Sequence, residues 1–177
     1  RAELGLPVQA LWVNRAERTV QVVPVSGEGW TLKAYRALES KVENAGQGWR
    51  VHIIPPAPAT LVIPINVQDG SRSSGDQLDL AIWAIDRWGL ESLSLSGFSG
   101  RNTSDAEQAA ARANVALISE ALKNKGIRSF NGIAEPGSAR LKGLQAKVGS
   151  EDGVEIIIVR SPDAPHTENA GDATPPS

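Results

Sequence analysis

Cysteine and methionine are both absent from the 177 residues. Without cysteine there are no disulfides, no thiolate catalysis and no cysteine metal sites. That absence suits an envelope compartment as well as the cytosol. Without methionine the chain holds no start residue, and its opening "RAELGLP" lacks the charged-then-apolar pattern of a signal peptide. It reads as a segment of a longer protein, with any signal peptide or membrane anchor expected outside it. An excess of one charge is missing too. With 18 basic and 20 acidic side chains the net charge is −2, which leaves no basic footprint for nucleic acid. No apolar run approaches the roughly 20 residues that span a bilayer. The longest, such as "GVEIIIV", are strand-sized, so no membrane insertion by this segment is expected.

Histidine is scarce. His52 lies in a strand-like stretch and His166 in a polar tail. A zinc site needs three or four ligands at workable spacing, and two isolated histidines without cysteine leave no metal site to expect. No cofactor is expected either. Serines are plentiful, but no G-x-S-x-G elbow is present, and "GFSG" has the wrong spacing. No acid, base and nucleophile converge in the sequence, so an enzyme is the least favoured class.

What is present describes a globular chain. Hydrophobic residues make up 41% and charged residues 21%, a balance that favours a packed core over disorder. "VQALWVN" (8–14) and "TVQVVPV" (19–25) read as a β-hairpin, with Pro24 placing that end at an edge or a bulge. In "WTLKAYRALESKVENAG" the residues Leu32, Tyr35, Leu38 and Val42 recur at helical spacing, and Gly46 is placed to stop the helix. "GWRVHIIPP" is a strand. The first part is thus a ββαβ unit.

"PPAPA" (55–59) is the clearest boundary, an extended connector. "TLVIPINV" follows as a strand and "QDGSRSSG" as a turn-rich loop. "DQLDLAIWAIDRWG" is a helix with Leu78, Ile82 and Ile85 on one stripe and Gly89 at its end. "LESLSLSG" alternates leucine with serine, as a half-buried strand does. Ser104 and Glu107 form an S-x-x-E capping box for the next helix. Val115, Ile118 and Leu122 are its apolar stripe and Gly126 its stop. "IRSFNGIAEPGS" is a short strand and loop, "ARLKGLQAKVGS" a weak helix interrupted by Gly143. "GVEIIIVR" is a strand buried on both faces. The expected fold class is α/β in the broad sense, an α+β sandwich. A β-α-β-α-β-(α)-β mixed sheet carries its helices on one face and is preceded by the small ββαβ unit. The expected divisions are 1–57, 58–160, and a polar tail over 161–177.

Two motif families invite chemistry. The glycines of "SGFSGRN" follow a strand and precede a helix, but form neither G-x-G-x-x-G nor a P-loop. They read as a tight turn, with weak anion binding at the helix N-terminus as the alternative. The five tryptophans could stack on sugars, but packing is the preferred reading. Trp83 and Trp88, five apart on one helix, are not expected to share a face, while Trp30 and Trp49 flank the first helix and anchor it.

Over about 61–160 the order of elements resembles the OmpA-like peptidoglycan-binding domains. The match includes the entry strand "LVIPINV", a helix, a strand ending at Gly97 of "SGFSG", and a helix carrying Arg112-Ala113. Val115 and Leu122 fall on repeated apolar positions, "KGI" (125–127) follows, and "VEIIIV" closes the sheet. In that family a Gly-His-Thr-Asp loop and a Leu-Ser-x-x-Arg-Ala helix hold diaminopimelate. The aspartate takes the ammonium and the arginine forks onto the carboxylate. Here Gly100 stands at the aspartate position, Gln108 and Ala109 replace Leu-Ser, and Asp105 falls where asparagine is common. The resemblance makes Arg112, Asp105, Ser99 and Asn102 the candidate ligand-binding residues. Asp105 and Arg112 are seven apart on one helix, roughly 10 Å, too far for one tight site.

The resemblance implies a periplasmic or other extracytoplasmic place in a membrane-anchored parent. With half of the ligand pair missing, the preferred reading is a non-enzymatic scaffold for protein contact, with a protein partner or a homodimer and weak peptidoglycan binding. The alternative is a peptidoglycan tether that still recognises diaminopimelate. The ββαβ unit carries no motif. It is either an added structural layer or a partner surface.

Overall fold

The computed structural model describes residues 7–26, 30–57, 60–90, 93–127, 130–134 and 147–158. The hairpin forms where the valine-rich runs place it. Strand β1 (Val8–Asn14) pairs antiparallel with β2 (Thr19–Pro24). Its register shifts between Val8 and Ala10, opposite Pro24, so the proline coincides with a bulge as expected. Helix α1 (Leu32–Ala45) begins where the Thr31 side chain accepts a hydrogen bond from the Ala34 amide. Strand β3 (Arg50–Ile53) then runs parallel to β2, giving the spatial order β1, β2, β3. Of the four apolar residues expected on the inner face of α1, Tyr35 is buried, whereas Leu32, Leu38 and Val42 are half-buried and packed against the core. The periodicity did not reveal Glu39, which is buried on the same helix.

The second sheet is built from β4 (Thr60–Pro64), β7 (Leu93–Ser99), β8 (Phe130–Ala134) and β9 (Asp152–Ile158). Their spatial order is β4, β9, β7, β8. β9 is antiparallel to both of its neighbours, and β7 is parallel to β8. The continuous apolar run of β9 is thus explained: it is a central strand with both faces covered. Helices α2 (Gly75–Trp88) and α3 (Asp105–Asn124) lie on one face. Ala81, Ile85, Val115, Ile118 and Leu122 pack there on Leu93, Leu95, Val154 and Ile156. Mixed α and β content, with helices layered on sheet, is the expected α+β class.

Three expectations need correction. The stretch "QDGSRSSG", expected as a loop, holds the turn and second strand of a hairpin, β5 (Asn66–Gln68) with β6 (Ser71–Ser73), and the expected single strand "TLVIPINV" divides after Pro64 into β4 and the start of β5. Asp69 and Gly70 turn the hairpin with φ of 51° and 76°, the conformations a two-residue Asp-Gly turn requires. The strand expected to end at Gly97 continues to Ser99, because its register with β9 is unbroken from Leu93↔Ile158 to Ser99↔Asp152. Nor is that strand half-buried, since Ser96, Phe98 and Ser99 on it are also buried. The weak helix expected over 139–150 and the tail over 161–177 lie almost wholly outside the described residues.

Helix α2 belongs to two cores. Ala81 and Ile85 face the four-stranded sheet, while Trp83 and Ala84 join Val22, Tyr35, Val51 and Ile53 of the N-terminal unit. Trp88, in the last turn, packs against both, so its separation from Trp83 on the helix does not keep the two apart. Trp30, Tyr35 and Trp83 form a run of tilted ring contacts with centroids 5.0 and 4.8 Å apart. The Glu39 carboxylate accepts from the Ile53 amide at 2.9 Å and pairs with Arg87 of α2 at 3.0 Å. Arg87 also lies over the Trp83 ring at 5.4 Å. The Trp88 indole donates to the Pro55 carbonyl at 2.7 Å, pinning the proline connector. Among the described residues no helix is long and apolar enough to cross a membrane.

Candidate functional site

The candidate residues surround the turn between β7 and α3. Gly97 lies where α3 crosses β7 most closely. A Cβ there would intrude on the Ala111 carbonyl oxygen and lie 2.7 Å from Val115 Cγ2, so only glycine lets the helix settle on the strand. After Ser99 the chain turns through Gly100 (φ 53°) and Asn102 (φ 56°). Asparagine tolerates this left-handed conformation better than most residues because its side chain bonds locally. Asn102 does so: its Oδ1 accepts from the Ser99 amide at 2.7 Å and its Nδ2 donates to the Gly97 carbonyl at 3.1 Å. It is buried, so its amide closes the turn and does not reach outward.

The helix N-terminus is occupied in the same way. The Ser104 hydroxyl accepts from the Glu107 amide, and Glu107 Oε2 accepts from the Thr103 and Ser104 amides and the Thr103 hydroxyl. This is the capping box that the sequence spacing predicts. The Thr103 amide first, then the Ser104 amide, hold the Glu107 carboxyl at about 2, below its ordinary 4.5. The Thr103 and Ser104 amides beside that terminus thus already carry a resident carboxylate.

Gly100 stands where the resemblance would place an aspartate. A Cβ on it would collide with the Glu107 carboxylate, whose Cδ would be 3.0 Å away. At φ 53° a side chain on this residue would be strained, and the Glu107 carboxylate lies in the space it would enter.

Arg112 is exposed on α3, on a face that does not meet the sheet. The buried face carries Ala111, Asn114, Val115, Ile118 and Leu122. Asp105 is exposed at the first turn, and Ser99 is buried at the end of β7. The four candidates therefore do not converge: two point to solvent and two are enclosed in the turn.

A different polar group bridges the elements here, and sequence reasoning missed it. Asn114 is fully buried and donates to the Phe98 carbonyl at 3.1 Å. Its Oδ1 accepts from Arg72 of β6, whose Nη1 also donates to the Ala110 carbonyl at 3.1 Å. The arginine that meets α3 is thus Arg72, from β6 of the second hairpin. An asparagine on the inner stripe of a helix was the available signal, since a polar group there must find a partner.

Clefts elsewhere among the described residues include the following three. One of about 380 Å³ is lined by Trp30, Tyr35, Pro55, Leu61 and Trp88, between the units. Another of about 590 Å³, between α1 and α2, carries Lys33 and Arg36 opposite Asp76 and Asp79. A third of about 370 Å³ runs along α1 past Trp30 and Lys41. None is lined by the candidate residues. Among the described residues no three histidine, aspartate or glutamate side chains gather to hold a metal ion. Set against family models, curated proteins and solved structures, the chain matches none.

Proposed function

We propose that this chain is a non-enzymatic module of the extracytoplasmic cell envelope, acting as a scaffold for protein contact and not as a diaminopimelate-holding tether. One observation carries the proposal. The turn after β7 is filled by the chain's own groups, with Asn102 closing it and Glu107 covering Gly100. A zwitterionic ligand would need a carboxylate for its ammonium beside Arg112, and Asp105 and Arg112 stand apart on an exposed helix face. Desolvating an ammonium without a counter-charge costs about 1–3 kcal/mol or more, which is roughly tenfold to a hundredfold in affinity. The order of strands and helices supports the OmpA-like architecture, and the resemblance supplies the envelope setting. Among the described residues no grouping of acid, base and nucleophile favours an enzyme.

The test is a pull-down on purified peptidoglycan sacculi. Wild-type chain is expected at background, unchanged by Arg112→Ala. Strong wild-type binding that Arg112→Ala abolishes would overturn the proposal and reinstate the tether. A Gly100→Asp chain is a weak gain-of-function probe on its own, because the new side chain meets Glu107. Pairing it with Glu107→Gln removes the carboxylate charge from that contact.

A further inference from the structure

Strand β1 is an edge, and its outer side is unguarded. Among the described residues it pairs only with β2, and 8–14 contain no charged residue. Sheet edges are usually blunted by charge, proline or bulges. Here the bulge protects only the Val8 end. Toward the other end three successive apolar residues are exposed: Leu11 at 40%, Trp12 at 47% and Val13 at 50%.

The hydrogen-bond parity of the sheet says which backbone groups are open. The Val22 carbonyl accepts from the Ile54 amide on the β3 side. In a strand the amide and carbonyl of one residue point the same way and alternate along the chain. The peptide groups of Val20 and Val22 therefore face β3, and those of Gln21 face β1. Trp12 is opposite Gln21, so its backbone is bonded to β2. Leu11 and Val13 present their amides and carbonyls outward.

We infer that β1 pairs antiparallel with β1 of a second copy of this chain, Leu11 opposite the second copy's Val13 and Trp12 opposite its Trp12. The two-fold then passes between the tryptophans. Leu11 and Val13 each exchange an amide and a carbonyl with the other strand, and both indoles lie on one face. The strand is its own complement. It has no charge to set against its like, and a charged foreign strand would find no counter-charge on it. The contact is one strand wide and falls below the roughly 800 Å² per partner of a stable interface, so the dimer is reversible and concentration-dependent. This rests on the reading of the chain as an interaction module, but its test uses no peptidoglycan, and either can fail alone.

The test is analytical ultracentrifugation of the 177-residue chain over roughly 1 μM to 1 mM. Average mass is expected to rise from 18.7 kDa toward twice that. Leu11→Lys and Val13→Glu, each alone, weaken the dimer about tenfold or more while leaving the thermal midpoint unchanged, since both side chains are exposed. Mixed, the two variants restore it, because one register pairs the lysine with the glutamate and leaves the other Leu–Val pair intact. A wild-type chain that stays monomeric throughout overturns the proposal, even if β1 captures an apolar peptide of another protein. So does a dimer that survives both substitutions, or one that mixing fails to restore.

Discussion

The turn after β7 and the edge strand β1 treat their polar groups in opposite ways. In the turn, an asparagine, a serine and a glutamate satisfy the Ser99, Thr103, Ser104 and Glu107 amides locally. On β1 the amides and carbonyls of Leu11 and Val13 face outward, with apolar side chains beside them. A sequence resemblance directs attention to the turn, but a surface recognises a partner with groups that are still free. The difference teaches that a residue can fall on a ligand position by resemblance, as Arg112 does, while the turn beside it is filled from within.

That contrast can be broken by loosening the turn. The largest effect is expected from Gly97→Ala, which forces the Ala111 carbonyl and Val115 away from β7. Urea denaturation should register a loss of about 3 kcal/mol. A near-neutral result would mean that α3 lifts easily and the turn can open for a ligand. Next is Asn102→Ala, which orphans the Ser99 amide and the Gly97 carbonyl in a buried place and leaves alanine at positive φ. About 2 kcal/mol should be lost, with Asn102→Gly recovering only the backbone share. The smallest effect belongs to Glu107. Its folded carboxyl titrates at about 2, below the ordinary 4.5, so what it contributes is present above pH 4.5 and fades as pH falls toward 2. Titration followed by NMR should give a midpoint near 2, and Glu107→Gln should remove that acid-dependent step from the amide exchange of Thr103 and Ser104.

Local signals made much of the fold legible. The capping box of α3, the glycine stops after α2 and α3, the valine-rich hairpin and the apolar run of β9 all fall where spacing puts them, because each depends on neighbours a few residues away. The β5–β6 hairpin was hidden although its Asp69-Gly70 turn was in plain sight. Its strands are short, serine-rich and almost wholly exposed, and so offer no alternation to read. Gly97 disguised the end of β7, since glycine signals a turn unless one knows that a helix lies on it. The burial of Glu39 leaves no mark in the apolar periodicity, because its partner, Arg87, comes from a helix 48 positions on. For the site, the residue types were legible, but their directions were not. Asn102 turned inward because the turn needed its amide, and nothing in its spacing from Arg112 says so.

Helix α2 has a consequence in time. The N-terminal unit is complete as a chain at Ile53, yet Trp83, Ala84 and Arg87, which cover Tyr35 and pair with Glu39, arrive only with α2. During synthesis the unit must wait for about 35 further residues, roughly 2–7 s at 5–20 residues per second. Through that interval its inner face and its unguarded edge are open together, so the nascent chain is most exposed to mispairing just before the wall that closes it emerges.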